Sequence, residues 1–332
     1  MVQCSLIRSG AVVDEFSLIE TYFKDIPPLR PDTRLGVGDD CAIVRTGDNN
    51  ELVITTDILV EGVHFLAATD PGDIGYKAAA VNLSDIASMG AIPAWATLAL
   101  SLPHPDHKWL KAFSAGFINL LSTYGVDLVG GDTVKGPNVI TVQMMGKIES
   151  GTALSRSGAH QGESVMVTGS LGDAALGLKQ LKGELSVNSP AADYLLSRLN
   201  RPTPRVEEGV LLRDLATACI DISDGLISDL GHIVKASGVG ATLELDQIPC
   251  SPPVTNYQKA TGDFAPSISG GDDYELCVVV PEDAQQEAVD RLLEVGTQLT
   301  KVGVITDGER VEVVDPLGQS KTDPSKGYNH FE

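Results

Sequence analysis

"ATACIDISDGLISDLGHIVKASG", residues 216–238, sets a short apolar run against an amphipathic helical pattern across an acidic, glycine-bearing turn. Asp221 and Asp224 flank that turn, so a strand delivers carboxylates into the start of a helix. The same arrangement occurs earlier, where the apolar "SVMVTG" (164–169) runs into "SLGDAALGLKQL" (170–181). Repeated strand, turn and helix units predict a mixed α/β (α+β) architecture.

Working outward, helix and strand patterns recur along the chain. "DEFSLIETYFK" (14–24), "DIGYKAAAVNLSDIASM" (73–89) and "HKWLKAFSAGFINLLSTYG" (107–125) read as helices, the last ending at glycine. "ELVITTD" (51–57), "AWATLALSL" (94–102), "VITVQMMGKI" (139–148), "YELCVVV" (274–280), "KVGVIT" (301–306) and "RVEVV" (310–314) read as strands, with Met144 and Met145 as core residues. Between them "ESGTALSRSGAHQGE" (149–163) is polar and glycine-bearing, and is read as the passage between two packed domains, 1–150 and 151–332.

Composition narrows the function. With 24 Lys+Arg against 45 Asp+Glu the formal net charge is −21, a surface that repels nucleic-acid phosphates and anionic lipid. No nucleic-acid or membrane partner is therefore expected. The five cysteines are widely spaced and form no CxxC pair, which indicates neither a disulfide framework nor a zinc site. The amino-terminal apolar run is too short for a signal peptide, and no stretch reaches the length of a membrane span, so a cytoplasmic chain is expected.

The carboxylates are informative by placement. Asp39 and Asp40 follow the tight turn of "GVGDDCAIV" (36–44), and Asp57 closes "LVITTD". Asp85 lies in "NLSDIASMG", Asp132 in the glycine turn "LVGGDT", and Asp272 and Asp273 in "SGGDDYEL". Any one of these is accounted for as a turn residue or helix cap, since Asp is favoured in both places. Together, with Thr55, Thr56 and Ser223 alongside, they form an oxygen-rich set suited to a hard divalent cation such as magnesium, which in turn holds phosphate.

Glycine pairs at 130–131 and 270–271 allow backbone N–H groups to approach phosphate oxygens. There is no GxxxxGK[ST], no HRD with DFG, no complete GxGxxG and no GxSxG, so the ordinary nucleotide folds and the serine hydrolases are unsupported. Arg156 in "LSRSG" offers a guanidinium fork for phosphate, and His64 in "EGVHF" reads either as a packing residue or as a ligand contact near the acidic strand.

"GVGDDCAIV", "VITTDILVEGVHF", "KAAAVNLSDIASMGA", "LVGGDT", "SRSGA", "DISDGLISDLGHI", "SGGDDYEL" and the terminal "KGYNHF" resemble the thiamine-monophosphate kinases. That family sits in a superfamily with aminoimidazole ribonucleotide synthetase and selenophosphate synthetase. The resemblance runs in order from about residue 14 to 331. It implies a two-domain aminoimidazole ribonucleotide synthetase-like fold. Residues 1–150 would bind ATP and metal and pair in a barrel-like dimer interface, and residues 151–332 would form a carboxyl-terminal α/β domain.

The activity implied is magnesium-dependent transfer of the γ-phosphoryl group of ATP to thiamine monophosphate, giving thiamine diphosphate and ADP, in a homodimer. The resemblance places several magnesium ions on Asp40, Thr55, Thr56, Asp57, Asp85, Asp132, Asp221 and Asp224. It places ATP on Gly131, Asp132, Arg156 and Ser223, and the thiamine phosphate on His64, Asp272 and Tyr328. At Asp272 the chain departs from related kinases, which carry Glu.

Two other readings stay open at this stage. A sister synthetase acting on a purine or selenium substrate would share the acidic turns, although Cys4 lacks the neighbouring Gly and Lys of selenophosphate synthetases. A non-catalytic nucleotide-binding protein would keep the fold while tolerating loss of the acids.

Overall fold

The computed structural model describes residues 15–24, 29–47 and 49–320. Tyr328, Cys4 and the motif "KGYNHF" lie outside the described residues.

The first half of the chain builds an open six-stranded sheet from β1 (Thr33–Leu35), β2 (Ala42–Arg45), β3 (Asn50–Val60), β4 (Ile92–Leu102), β5 (Asp127–Lys135) and β6 (Val139–Glu149). Their order is β1-β2-β3-β6-β4-β5, antiparallel except for the parallel β4–β5 pair. Along β6 the two-residue period puts Ile140, Val142, Met144 and Ile148 on the inner face. Met144 is wholly buried, whereas Met145 is only partly so.

Among the described residues, two long helices cover that face. Helix Pro71–Ser88 starts where Asp70 accepts the N–H groups of Gly72 and Asp73, and Pro71 fits the first helical position. Its alanine-rich body is buried almost all round, because the second half of the chain packs on its far side. Helix His107–Thr123 lies against it and carries the stacked run Trp109, Phe113 and Phe117.

The second half forms another six-stranded sheet from β7 (Ser164–Thr168), β8 (Ala218–Asp221), β9 (Gly240–Glu244), β10 (Leu276–Val280), β11 (Leu299–Thr306) and β12 (Val311–Val314), in the order β12-β9-β11-β7-β10-β8. Central strands β7 and β10 are buried along their whole length, which is why "SVMVT" and "LCVVV" are continuous rather than alternating apolar runs. Helix Leu226–Ser237 follows β8 through the acidic turn, as the sequence predicts. One apolar cluster runs from Ile43, Val53 and Leu83 of the first half to Met166, Cys219 and Leu276 of the second, so the halves share a core.

Two expectations are revised. Asp57 does not close its strand, because β3 continues through Val60. "LVGGDT" is not a turn but the middle of β5, an edge strand exposed at every residue. Gly131 is at φ +154°, and a Cβ there would meet the Leu98 carbonyl oxygen at 1.9 Å, so the close approach of β5 to β4 requires glycine.

Candidate active site

Four separate elements deliver acids to one place. The turn before β2 carries Asp39 and Asp40, the inner face of β3 carries Thr55 and Asp57, helix Pro71–Ser88 carries Asp85, and the end of β8 carries Asp221. Asp40, Asp85 and Asp221 each present a carboxylate oxygen, and these oxygens lie within 4.8 Å of one another.

Hydrogen bonds from the surroundings hold these residues in place. Thr55 Oγ1 donates to Asp85 Oδ2 at 2.5 Å, and Ser84 Oγ donates to Asp221 Oδ2 at 2.7 Å across the two halves. Asn82, fully buried, accepts the Asp57 N–H at 3.3 Å. Arg156 Nε donates to Asp40 Oδ1 at 2.9 Å, its Nη2 donates to the same oxygen, and its backbone N–H meets Asp39 Oδ2 at 3.1 Å. The other oxygen of Asp40, Oδ2, is buried and has no hydrogen-bond partner among the described residues.

Such crowding strains the electrostatics. Burial, followed by the charge of Asp40, pushes Asp39 and Asp57 up to about 6. Burial and the charges of Asp57, Asp221 and Asp40 push Asp85 well above the carboxylate range, and burial with Asp40 does the same to Asp221. Carboxylates brought together out of water in this way are balanced by protons or by a cation. Three carboxylates grouped this closely, one of them with a buried oxygen that has no partner among the described residues, fit a hard divalent ion.

The remaining predicted residues distribute unevenly. Thr56 is exposed, alternating in β3 with inward-facing Thr55 and half-buried Asp57. Ser223 and Asp224 lie in the turn after β8, beside the cluster. His64 follows the end of β3 and accepts the Val60 N–H through Nδ1 at 3.0 Å. Asp272 meets Lys77 Nζ at 2.9 Å. Gly131 and Asp132 do not join the cluster within this chain, since β5 stands three strand spacings from β3, about 14 Å.

Residues 38–148 match the family described as AIR synthase related protein, N-terminal domain, and residues 160–316 match the corresponding C-terminal domain. The thiamine-monophosphate kinase of Salmonella typhimurium is 48% identical over 320 residues, covering 96% of this chain and 98% of that protein. The chain belongs to the thiamine-monophosphate kinase family.

Solved structures agree with this fold. The thiamine-monophosphate kinase of Stenotrophomonas maltophilia K279a superposes with a TM-score of 0.77 at 42% identity, covering 86% of this chain and 92% of that one. AaThiL complexed with AMPPCP and TMP superposes with a TM-score of 0.83 at 33% identity, covering 96% and 97% of the two chains. In this thiamine-monophosphate kinase family member the mixed α/β, two-domain architecture is thus shared over nearly the whole length.

Sequence reasoning missed several supports of the site. Asp229 Oδ2 accepts the N–H groups of Ser223, Asp224 and Gly225, each at 3.0 Å, and so shapes the turn that carries two predicted ligands. Its signal was available, because an acid in the first turn of a helix satisfies amides left free there. Lys77 also had a signal: a lone charge inside the buried, alanine-rich "GYKAAAVNL" requires a partner.

Proposed function

We propose that this chain transfers the γ-phosphoryl group of ATP to the phosphate of thiamine monophosphate, releasing thiamine diphosphate and ADP, as the last step of thiamine diphosphate formation. The observation that carries the reading is the meeting of Asp40, Asp85 and Asp221 in a chain that matches a thiamine-monophosphate kinase over nearly its whole length. The relative complexed with AMPPCP and TMP supports ATP as donor and thiamine monophosphate as acceptor.

Asp40, Thr55, Thr56, Asp57, Asp85, Asp221 and Asp224 are assigned to hold magnesium ions, and Asp132, which stands apart from them within one chain, is assigned to the same ions across the proposed pairing with a second copy. Magnesium held by these residues would supply charge neutralisation for the phosphates in an in-line transfer. Arg156, Ser223, Gly131 and Asp132 are assigned to the nucleotide, and His64, Asp272 and Tyr328 to the acceptor. The acceptor phosphate already carries nucleophilic oxygen, so no side chain is needed as general base and no phosphoenzyme forms.

Residues 1–150 are read as the nucleotide, metal and pairing domain, and residues 151–332 as the carboxyl-terminal domain, of a cytoplasmic homodimer. The exposed edge strand β5, with exposed Leu128, Val129 and Val134, supports pairing with a second copy in a barrel-like interface. Incubation with ATP, magnesium and thiamine monophosphate should yield thiamine diphosphate and ADP in equal amounts. ADP formation that is independent of thiamine monophosphate would contradict this.

A further inference from the structure

Lys77 is 4% exposed in the middle of helix Pro71–Ser88, flanked on its carboxyl side by Ala78, Ala79 and Ala80. A buried ammonium is tolerated only with a partner, and here the partner comes from the other half of the chain: Lys77 Nζ lies 2.9 Å from Asp272 Oδ1. Asp272 itself is only one-third exposed.

The backbone that presents Asp272 is tightly specified. Asp272 and Tyr274 adopt φ values of +70° and +50°, a region that side-chain-bearing residues seldom occupy. Their N–H groups donate to the carbonyls of Ser223 and Ile222, both at 2.8 Å, and lock this turn onto the turn that follows β8. The Tyr274 hydroxyl donates to Asp272 Oδ1 at 3.2 Å. Both of these side-chain contacts fall on Oδ1, so the carboxylate is gripped through one oxygen.

Lys77 and Ser84 are seven residues apart, two helical turns or about 10.5 Å along one face. Ser84 reaches Asp221 and Lys77 reaches Asp272, so a single helix face registers both acidic turns of the second half against the first.

We propose that Lys77 is a positioning residue for the acceptor substrate, which orients the Asp272 carboxylate and cancels its charge where a phosphate-bearing acceptor approaches. This rests on the reading of Asp272 as an acceptor contact. Without the ammonium, Asp272 would lose its orientation and would repel an anionic substrate. The effect falls on acceptor binding and not on the nucleotide.

The test is steady-state kinetics on the full-length protein with ATP and thiamine monophosphate varied separately. Lys77→Met should raise the KM for thiamine monophosphate by about tenfold or more while the KM for ATP stays within about twofold, and Lys77→Arg should recover much of the loss. In an Asp272→Asn background Lys77→Met should add less than about twofold, because a residue acting through another is silent once that other is removed.

Tyr274→Phe, which removes only the second bond to Oδ1, guards against a Lys77 variant that does not fold and should raise the acceptor KM by about threefold. An unchanged acceptor KM in folded Lys77→Met, an equal rise in both KM values, or multiplicative effects with Asp272→Asn would overturn the proposal. If Lys77→Met does not fold, an unchanged acceptor KM in Tyr274→Phe would overturn it. Absence of thiamine diphosphate from the wild-type protein would instead remove the functional reading on which it rests.

Discussion

Arg156 holds Asp40 by Oδ1, with Nε at 2.9 Å, while Asp40 Oδ2 stays buried with no hydrogen-bond partner among the described residues. One oxygen of this carboxylate is thus held by the guanidinium while the other is left without a partner, in a residue whose carboxylate lies with those of Asp85 and Asp221. Asp40→Asn removes the charge but keeps the shape. The magnesium concentration for half-maximal activity should rise by about tenfold or more, read from a magnesium titration at saturating ATP.

The raised carboxylates predict a pH dependence of stability. Asp39 and Asp57 move from 3.8 to about 6 in the folded protein, so between those values the folded form holds more protons than the unfolded form. Their contribution therefore falls as pH rises through that window and levels off above it. Thermal melts in chelator should show this loss from pH 4 to 6, and magnesium should raise the melting temperature more at pH 7.5 than at pH 5. Equal stabilisation by magnesium at both values would argue against the acidic cluster as its site.

Asp229 offers a test of the turn that follows β8. Three amides converge on its Oδ2, and Asp229→Ala strands all of them. The substitution should cost about 2 kcal/mol in denaturant unfolding, because one buried and two part-buried amides lose a carboxylate acceptor. Nucleotide affinity should fall with it, since Ser223, which the proposed function assigns to the nucleotide, sits in the released turn. Calorimetric titration with a non-hydrolysable ATP analogue checks the second effect.

At Gly131 any side chain would collide with the Leu98 carbonyl. Gly131→Ala should detach β5 from β4 and, on the proposed pairing, shift the protein from dimer toward monomer in sedimentation velocity. A dimer of unchanged strength would show that this edge is not the interface.

Much of the fold was legible because hydrophobic periodicity is local. The helix over 107–125 and the strand over 139–148 follow from spacing, the helix over 73–89 from its run of helix-forming residues, and the strand over 164–169 from a short continuous apolar run. β5 was not legible, since a Gly-Gly-Asp-Thr run has turn composition and only its pairing with β4 makes it a strand. Of the candidate site, the acidic turns pointed to Asp40, Asp85 and Asp221, but no local pattern shows that residues so far apart in the chain converge within 4.8 Å. Lys77 and Asp229 act on residues already singled out, and their partners are decided by tertiary packing and by the helix start.

Direct transfer predicts that the protein never carries the phosphoryl group. After single turnover with γ-labelled ATP and denaturing quench, label should be found in nucleotide and thiamine diphosphate and be absent from protein. Acid- or base-stable label on the chain would require a different mechanism.

The most direct measurement is thiamine diphosphate formation, followed as fluorescent thiochrome, by wild-type protein and by Asp57→Asn and Asp132→Asn across a magnesium series. The expected result is product that disappears without magnesium and turnover that falls by about two orders of magnitude or more in either variant. Near-normal turnover in both variants at saturating magnesium, or product formed equally well in chelator, would contradict a metal-assisted transfer built on these acids.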